Sequence, residues 1–180
     1  MDKNYITIKQ IKHRVRSSIK KSKVKKRKAE DLSKLKKRLW ALTSIAVRLR
    51  DADENGMCKC STCEYKGFYF KDKMQAGHFV KKSQGGITEY MLENLSVQCS
   101  GCNLRDEQFL MGLYINNKYP PVDGIPYAEY LYKINKTIQV KKDRLFFIEE
   151  INKVQDLVMR LSKEKNLWEW KESFPKSYLT

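Results

Sequence analysis

The chain has 180 residues, 41% of them hydrophobic, and its 37 Lys/Arg against 21 Asp/Glu give a net charge of +16. This length supports one domain with extensions and is short for two. The longest apolar runs, such as Leu145-Phe146-Phe147-Ile148, fall far below the roughly 20 residues of a membrane span, and no apolar stretch follows Met1-Asp2-Lys3-Asn4 as a secretory leader requires. A soluble protein of the cytoplasm is expected.

The charge is unevenly placed. Residues 1 to 50 hold 18 Lys/Arg against 3 Asp/Glu, whereas residues 51 to 180 hold 19 against 18. A dense positive field gains free energy by neutralising phosphates and releasing their counterions, so nucleic acid is the leading partner. An anionic membrane surface or a solvated linker would read the same way. Arg14, Arg16, Lys25, Lys26, Arg27 and Lys28 are the candidate phosphate contacts. Few apolar anchors and self-repelling charge predict that residues 1 to 30 form an arm, disordered alone or helical on DNA.

From residue 31 to 56 the pattern changes. Leu32, Leu35, Leu39, Leu42, Ala46 and Leu49 recur at spacings of three and four, which predicts an amphipathic helix whose stripe packs into a core. Across 57 to 120 the helical period is lost. Lys66-Gly67-Phe68-Tyr69-Phe70 and Gln75-Ala76-Gly77-His78-Phe79-Val80 read as short strands, and Gly85-Gly86 marks a loop. A helix is expected from Cys102 to about Lys118, after which Pro120, Pro121 and Pro126 break the chain. In the extension from 121 to 180, Phe147, Ile151, Val154, Val158 and Leu161 predict a last helix over roughly 138 to 164. The fold class expected is α+β, a small metal-stapled core flanked by long helices.

Cys60-Ser61-Thr62-Cys63 and Cys99-Ser100-Gly101-Cys102 are two C-x2-C pairs separated by 35 residues. Two residues between cysteines make a knuckle that turns both sulfurs toward one ion, and two knuckles complete a closed tetrahedral site. Structural zinc is the expected occupant, with reduced buried thiols or a redox pair as the other reading. Cys58, at C-x-C spacing from Cys60, reads as a bystander. His78 lies between the two pairs and Asn94 follows sixteen residues later. Asn103 comes directly after Cys102, on the first turn of the expected helix. Tyr114, Tyr119, Tyr127, Tyr130 and Tyr132, like Trp168 and Trp170, read as packing residues, with stacking on splayed bases the less favoured alternative.

The wording RLRDADENG, CSTC, QAGHF and ENLSVQCSGCN resembles the HNH, or His-Me finger, nucleases and among them the phage NinG/Rap recombination proteins, with recombination endonuclease VII a more distant likeness. It spans about Leu39 to Tyr119. The resemblance implies a ββα-metal endonuclease that hydrolyses phosphodiester bonds of branched DNA such as Holliday or D-loop junctions, with a homodimer as a common form. It implies His78, on the second strand of a hairpin, as general base, and Asn94 as the brace of the hairpin loop. Asn103 would be a ligand of catalytic Mg²⁺ or Mn²⁺, and Cys60, Cys63, Cys99 and Cys102 the ligands of zinc. Two departures stand out. Many such enzymes carry Asp where this chain has Gly77, and Lys where it has Asp106. Glu93, Asp106 and Glu107 are therefore candidates for the second metal ligand. The alternative function is a non-catalytic zinc-containing DNA-binding recombination accessory protein, and a third is an RNA-binding or ribosome-associated zinc protein.

Overall fold

The computed structural model describes residues 31–70 and 72–175, Ser173 by its backbone only. The expected arm, with Arg14, Arg16, Lys25, Lys26, Arg27 and Lys28, lies outside the described residues. The first described helix, α1 (Leu32–Asp51), begins where the Asp31 side chain accepts from the Ser33 N–H, satisfying one of the donors a helix N-terminus leaves bare. It ends at Ala52, whose N–H closes the last turn on Arg48 O. Beyond the expected stripe, Thr43, Ile45 and Val47 are also buried. The reason is that α1 is central: α5 (Arg144–Lys165) packs along it on one side, and β3 (Met74–His78) and β4 (Leu95–Cys99) meet it on another.

Two small antiparallel sheets follow. β1 (Met57–Lys59) pairs with β2 (Lys66–Phe68), and β3 pairs with β4 in the register Met74↔Cys99 to His78↔Leu95. His78 therefore ends the first strand of its hairpin, not the second, and its strand does not pair with the one before it. The partner is chosen by burial: Met74 and Ala76 on β3 match Cys99 and Val97 on β4 across one face, and that face closes on the α1 core.

The helix expected over 102 to 118 is two helices, α2 (Ser100–Arg105) and α3 (Gln108–Lys118). Asp106 breaks it by adopting the left-handed conformation (φ 62°, ψ 51°), which aspartate tolerates because its short side chain bonds locally, here accepting from Gln108 Nε2. The proline-rich stretch is followed by a helix absent from the sequence reading, α4 (Tyr127–Thr137). Pro126 directly precedes it, and Ala128, Leu131 and Ile134 supply a buried stripe. α5 starts at Arg144, later than expected, with the Asp143 side chain accepting from Phe146 N as its cap. The short α6 (Trp170–Ser173) closes the described part, with buried Trp170 donating to Ser162 Oγ at 2.8 Å.

The core has two parts. The larger joins α1, β3, β4, α5 and Trp170. The smaller holds Phe79, Val80, Met111, Ile115 and the α4 stripe, and it seats the chain leaving β3 on α3 and α4. The architecture is α+β. Among the described residues no helix is long and apolar enough to cross a membrane.

Candidate active site and metal centre

The four knuckle cysteines come together from the turn between β1 and β2 (Cys60, Cys63), the end of β4 (Cys99) and α2 (Cys102). One ligand atom from each of Cys60, Cys63, Cys99 and Cys102 lies within 4.8 Å of the others, and Cys63 Sγ and Cys99 Sγ are 3.9 Å apart. They are positioned to bind a metal ion. Hydrogen bonds aim at the sulfurs from outside: the Cys99 N–H and Thr62 Oγ1 reach Cys60 Sγ at 3.3 and 3.4 Å, and Arg105 reaches Cys102 Sγ at 3.3 Å. Burial pushes the Cys60 thiol up, but these donors outweigh it and bring it down to about 6. The Tyr65 N–H favours a Cys63 thiolate, yet burial and the crowding sulfurs of Cys102, Cys60 and Cys99 push that thiol up to about 12. Sulfurs this close cannot all ionise without a cation among them. Cys58 is outside the cluster: it is buried, donates to Arg48 O at 3.4 Å, and burial raises it to about 12, as suits an inert core thiol.

His78 is half-buried at the end of β3. Its ring stacks on Trp40 of α1, centroids 4.8 Å apart and planes 18° from parallel, and Nε2 lies 2.9 Å from Glu89 O. A carbonyl can only accept, so the facing nitrogen carries the proton and the other ring nitrogen keeps its lone pair. Burial pushes the imidazole below its ordinary pKa, and nearby Lys82 adds to this against the opposing pull of Glu89. At neutral pH the ring is neutral.

The segment carrying the Glu89 carbonyl is fixed from three directions. Asn94, wholly buried, accepts from Val80 N at 2.7 Å and donates to Val80 O and Thr88 O, each at 3.0 Å. Asn135 of α4 accepts from Thr88 Oγ1 at 2.7 Å and lies against Gly86, whose φ of +76° and lack of a side chain allow the approach. Lys142 pairs with Glu89 Oε2 at 2.5 Å. Asn94 thus ties together the two ends of the segment between β3 and β4.

On the other face of β3, Asn103 Nδ2 donates to Gln75 Oε1 at 2.8 Å, which turns Asn103 Oδ1 toward Gly77. The point where a Cβ at position 77 would stand lies 3.0 Å from Asn103 Oδ1 and 1.9 Å from Gln98 Oε1. A side chain at 77 would collide with the end of the Gln98 side chain from the neighbouring strand, which would have to shift to admit it.

Of the three carboxylates considered as second ligands, Asp106 is bridged to the His78 carbonyl by Gln108, whose Nε2 donates to Asp106 Oδ1 at 2.7 Å and lies 3.4 Å from His78 O. Asp106 pairs with Lys81, whose ammonium holds its carboxyl below the usual range. Glu107 pairs with Arg105 at 3.2 Å. Glu93 lines a cavity of about 370 Å³ with Val140 and residues of α5. Tyr114, Tyr119, Tyr127, Tyr130 and Tyr132 pack against the smaller core. Trp40, the Glu89 carbonyl, Asn135 and Gln98 were not singled out in the sequence. Trp40 has no motif to mark it, whereas Gln98, a second polar residue beside Ser96 in the short run Leu95–Cys99, was the one available signal. No protein family, curated protein or solved structure matches this chain in comparison with known proteins.

Proposed function

We propose that the protein is a metal-dependent DNA endonuclease of the HNH type, hydrolysing phosphodiester bonds with His78 as general base. The observation that carries this reading is the state of His78: a neutral ring, its orientation set by Glu89 O and Trp40, with one nitrogen left to take a proton. That nitrogen deprotonates the water that attacks phosphorus, and the Glu89 carbonyl stabilises the imidazolium that results. Asn94 keeps Glu89 in place. Asn103, one residue past a knuckle cysteine and turned toward the neighbour of His78, is the ligand for Mg²⁺ or Mn²⁺; its Oδ1 accepts no hydrogen bond among the described residues. Such an ion supplies Lewis-acid stabilisation of charge on the phosphate and the leaving oxygen.

The four cysteines suit zinc. Four thiolates with Zn–S of about 2.3 Å in a tetrahedron require sulfurs about 3.8 Å apart, close to the 3.9 Å between Cys63 and Cys99. The closed set leaves no position for substrate, so this ion is structural. The choice of branched DNA, such as four-way or D-loop junctions, rests on the motif resemblance, as do the homodimer and the cytoplasm of a bacterial host. The basic arm, through Arg14, Arg16, Lys25, Lys26, Arg27 and Lys28, supplies phosphate contacts independent of base sequence.

The test is cleavage of labelled four-way junction, linear duplex and single-stranded DNA with Mg²⁺, Mn²⁺ or EDTA, alongside His78→Ala. Cutting that needs the cation and falls at least 100-fold in the variant, with DNA binding retained, is expected. Equal cutting by the variant would falsify the mechanism. Tight binding without cutting by the unaltered chain would replace this reading with the non-catalytic accessory protein.

A further inference from the structure

We propose that Lys82 binds the scissile phosphate, its ammonium touching a non-bridging oxygen beside His78. The inference rests on the nuclease reading above and adds to it a side-chain cation at the reacting group. The geometry converges on Trp40. Its indole stacks on the His78 ring with centroids 4.8 Å apart, and Lys82 Nζ stands 5.3 Å from the centre of the same indole. Trp40 is also one wall of a cavity of about 300 Å³ between α1 and β3, which Gln75 and Asn103 line as well. One aromatic side chain therefore gathers the proposed base, a positive charge and the recess that reaches the proposed cation ligand. The imidazole responds to the ammonium: Lys82 lowers its affinity for a proton, whereas Glu89 raises it.

Elimination leads to the same residue. Arg48 lines the cavity, but its guanidinium donates through Nε to Ser44 O and through Nη1 to Tyr69 O. Lys81 is paired with Asp106, and Lys142 with Glu89. Lys82, at the start of a short 3₁₀ turn (Lys82–Gln84), is exposed, and among the described residues it makes no hydrogen bond or ion pair. Its three N–H donors are thus left for a ligand. An ammonium on a flexible stem is a compact point charge, suited to a phosphate oxygen without a fixed angle of approach. The indole face beneath it narrows where that charge can go. As water attacks phosphorus, negative charge builds on the non-bridging oxygens, so a cation in contact there stabilises the transition state more than the bound substrate. Lys82 then acts on the rate and not on affinity alone.

The experiment measures single-turnover cleavage of labelled four-way junction and linear duplex at saturating DNA, with Mg²⁺, by the zinc-loaded full chain, Lys82→Met and Lys82→Arg. Thermal melting checks the fold, and a binding titration gives DNA affinity. At the mapped cleavage position the DNA carries either the natural linkage or one diastereomer of a methylphosphonate, which exchanges a charged non-bridging oxygen for a methyl group. Lys82→Met should slow cleavage of the natural linkage roughly 10- to 100-fold, and Lys82→Arg, which keeps the charge, should restore most of the rate. For one diastereomer, the methylphosphonate should slow the unaltered chain strongly and Lys82→Met far less, because the two changes remove the same contact. Equal slowing of both chains by both diastereomers overturns the proposal. So does a Lys82→Met chain weakened only in DNA affinity, since the lysine then holds a flanking phosphate. A Lys82→Met chain that melts earlier yet cuts at the unaltered rate also overturns it, since the lysine then only braces Trp40. These three results leave the nuclease reading intact, because cleavage is still observed. Absence of cutting by the unaltered chain removes that reading and this proposal with it.

Discussion

Asn94 commits its entire side chain to backbone groups, and every one of those groups is buried. It donates twice and accepts once, joining Val80 to Thr88. Replacement by alanine removes three bonds and strands the Val80 N–H away from water, where an unmet donor costs more than the bond it lost. Asn94→Ala should therefore destabilise the fold by about 3 kcal/mol, read from the midpoint of urea unfolding at unchanged slope. A loss below about 0.5 kcal/mol would show that water replaces the asparagine. At this scale the sequence was legible where chemistry is rare: two histidines in the whole chain and two matched cysteine pairs drew the eye to His78 and the cluster. It was silent on the parts that tune them. Trp40 is one more apolar position on a helical stripe until folding lays it on the imidazole, and the Glu89 contact uses a backbone carbonyl that any residue could provide.

Among elements, the pairing of α1 with α5 is the principal support of the larger core, and its ends are joined by a single cation. Lys165 Nζ, in the last turn of α5, donates to Leu49 O at 2.8 Å and Arg50 O at 3.2 Å and also to Ala52 O, the carbonyls that the end of α1 leaves open. Lys165→Met keeps the aliphatic stem and deletes the charge. It should cost about 2 kcal/mol, the scale of charged hydrogen bonds, in the same unfolding measurement; a neutral result would mean that those carbonyls are hydrated equally well. Periodicity foretold both helices because each has one dominant apolar stripe. It missed α4, where a proline-rich lead-in suppresses the expectation, and the break at Asp106, which is decided by one residue entering a left-handed turn. The hairpin partner was likewise hidden, because pairing is settled by which strand face the helix can cover.

At the level of the whole molecule, charge and chemistry are held in separate regions: residues 51 to 180 are nearly neutral by count, and the excess is in the first 50. Under the proposed function, affinity should depend on the arm and turnover on the folded part. Removing residues 1 to 28 should lower the slope of log K against log salt by about five, if the six named cations each hold one phosphate at about 0.9 per contact. The cleavage rate at saturating DNA should change little. An unchanged salt slope in a binding titration would assign the phosphate contacts to the folded part instead.

Cys102 and Asn103 are adjacent in α2, so the sulfur cluster and the carbonyl over Gly77 share a rigid turn of backbone. Free energy is a function of state, and coupling through such a turn works equally in both directions. Whatever grips Asn103 changes the affinity of the cysteines for a metal ion by the same factor with which that ion changes the grip. Under the proposed function, a chelator titration with and without DNA and Mg²⁺ reads this coupling as a shift in the chelator concentration that strips the cysteines.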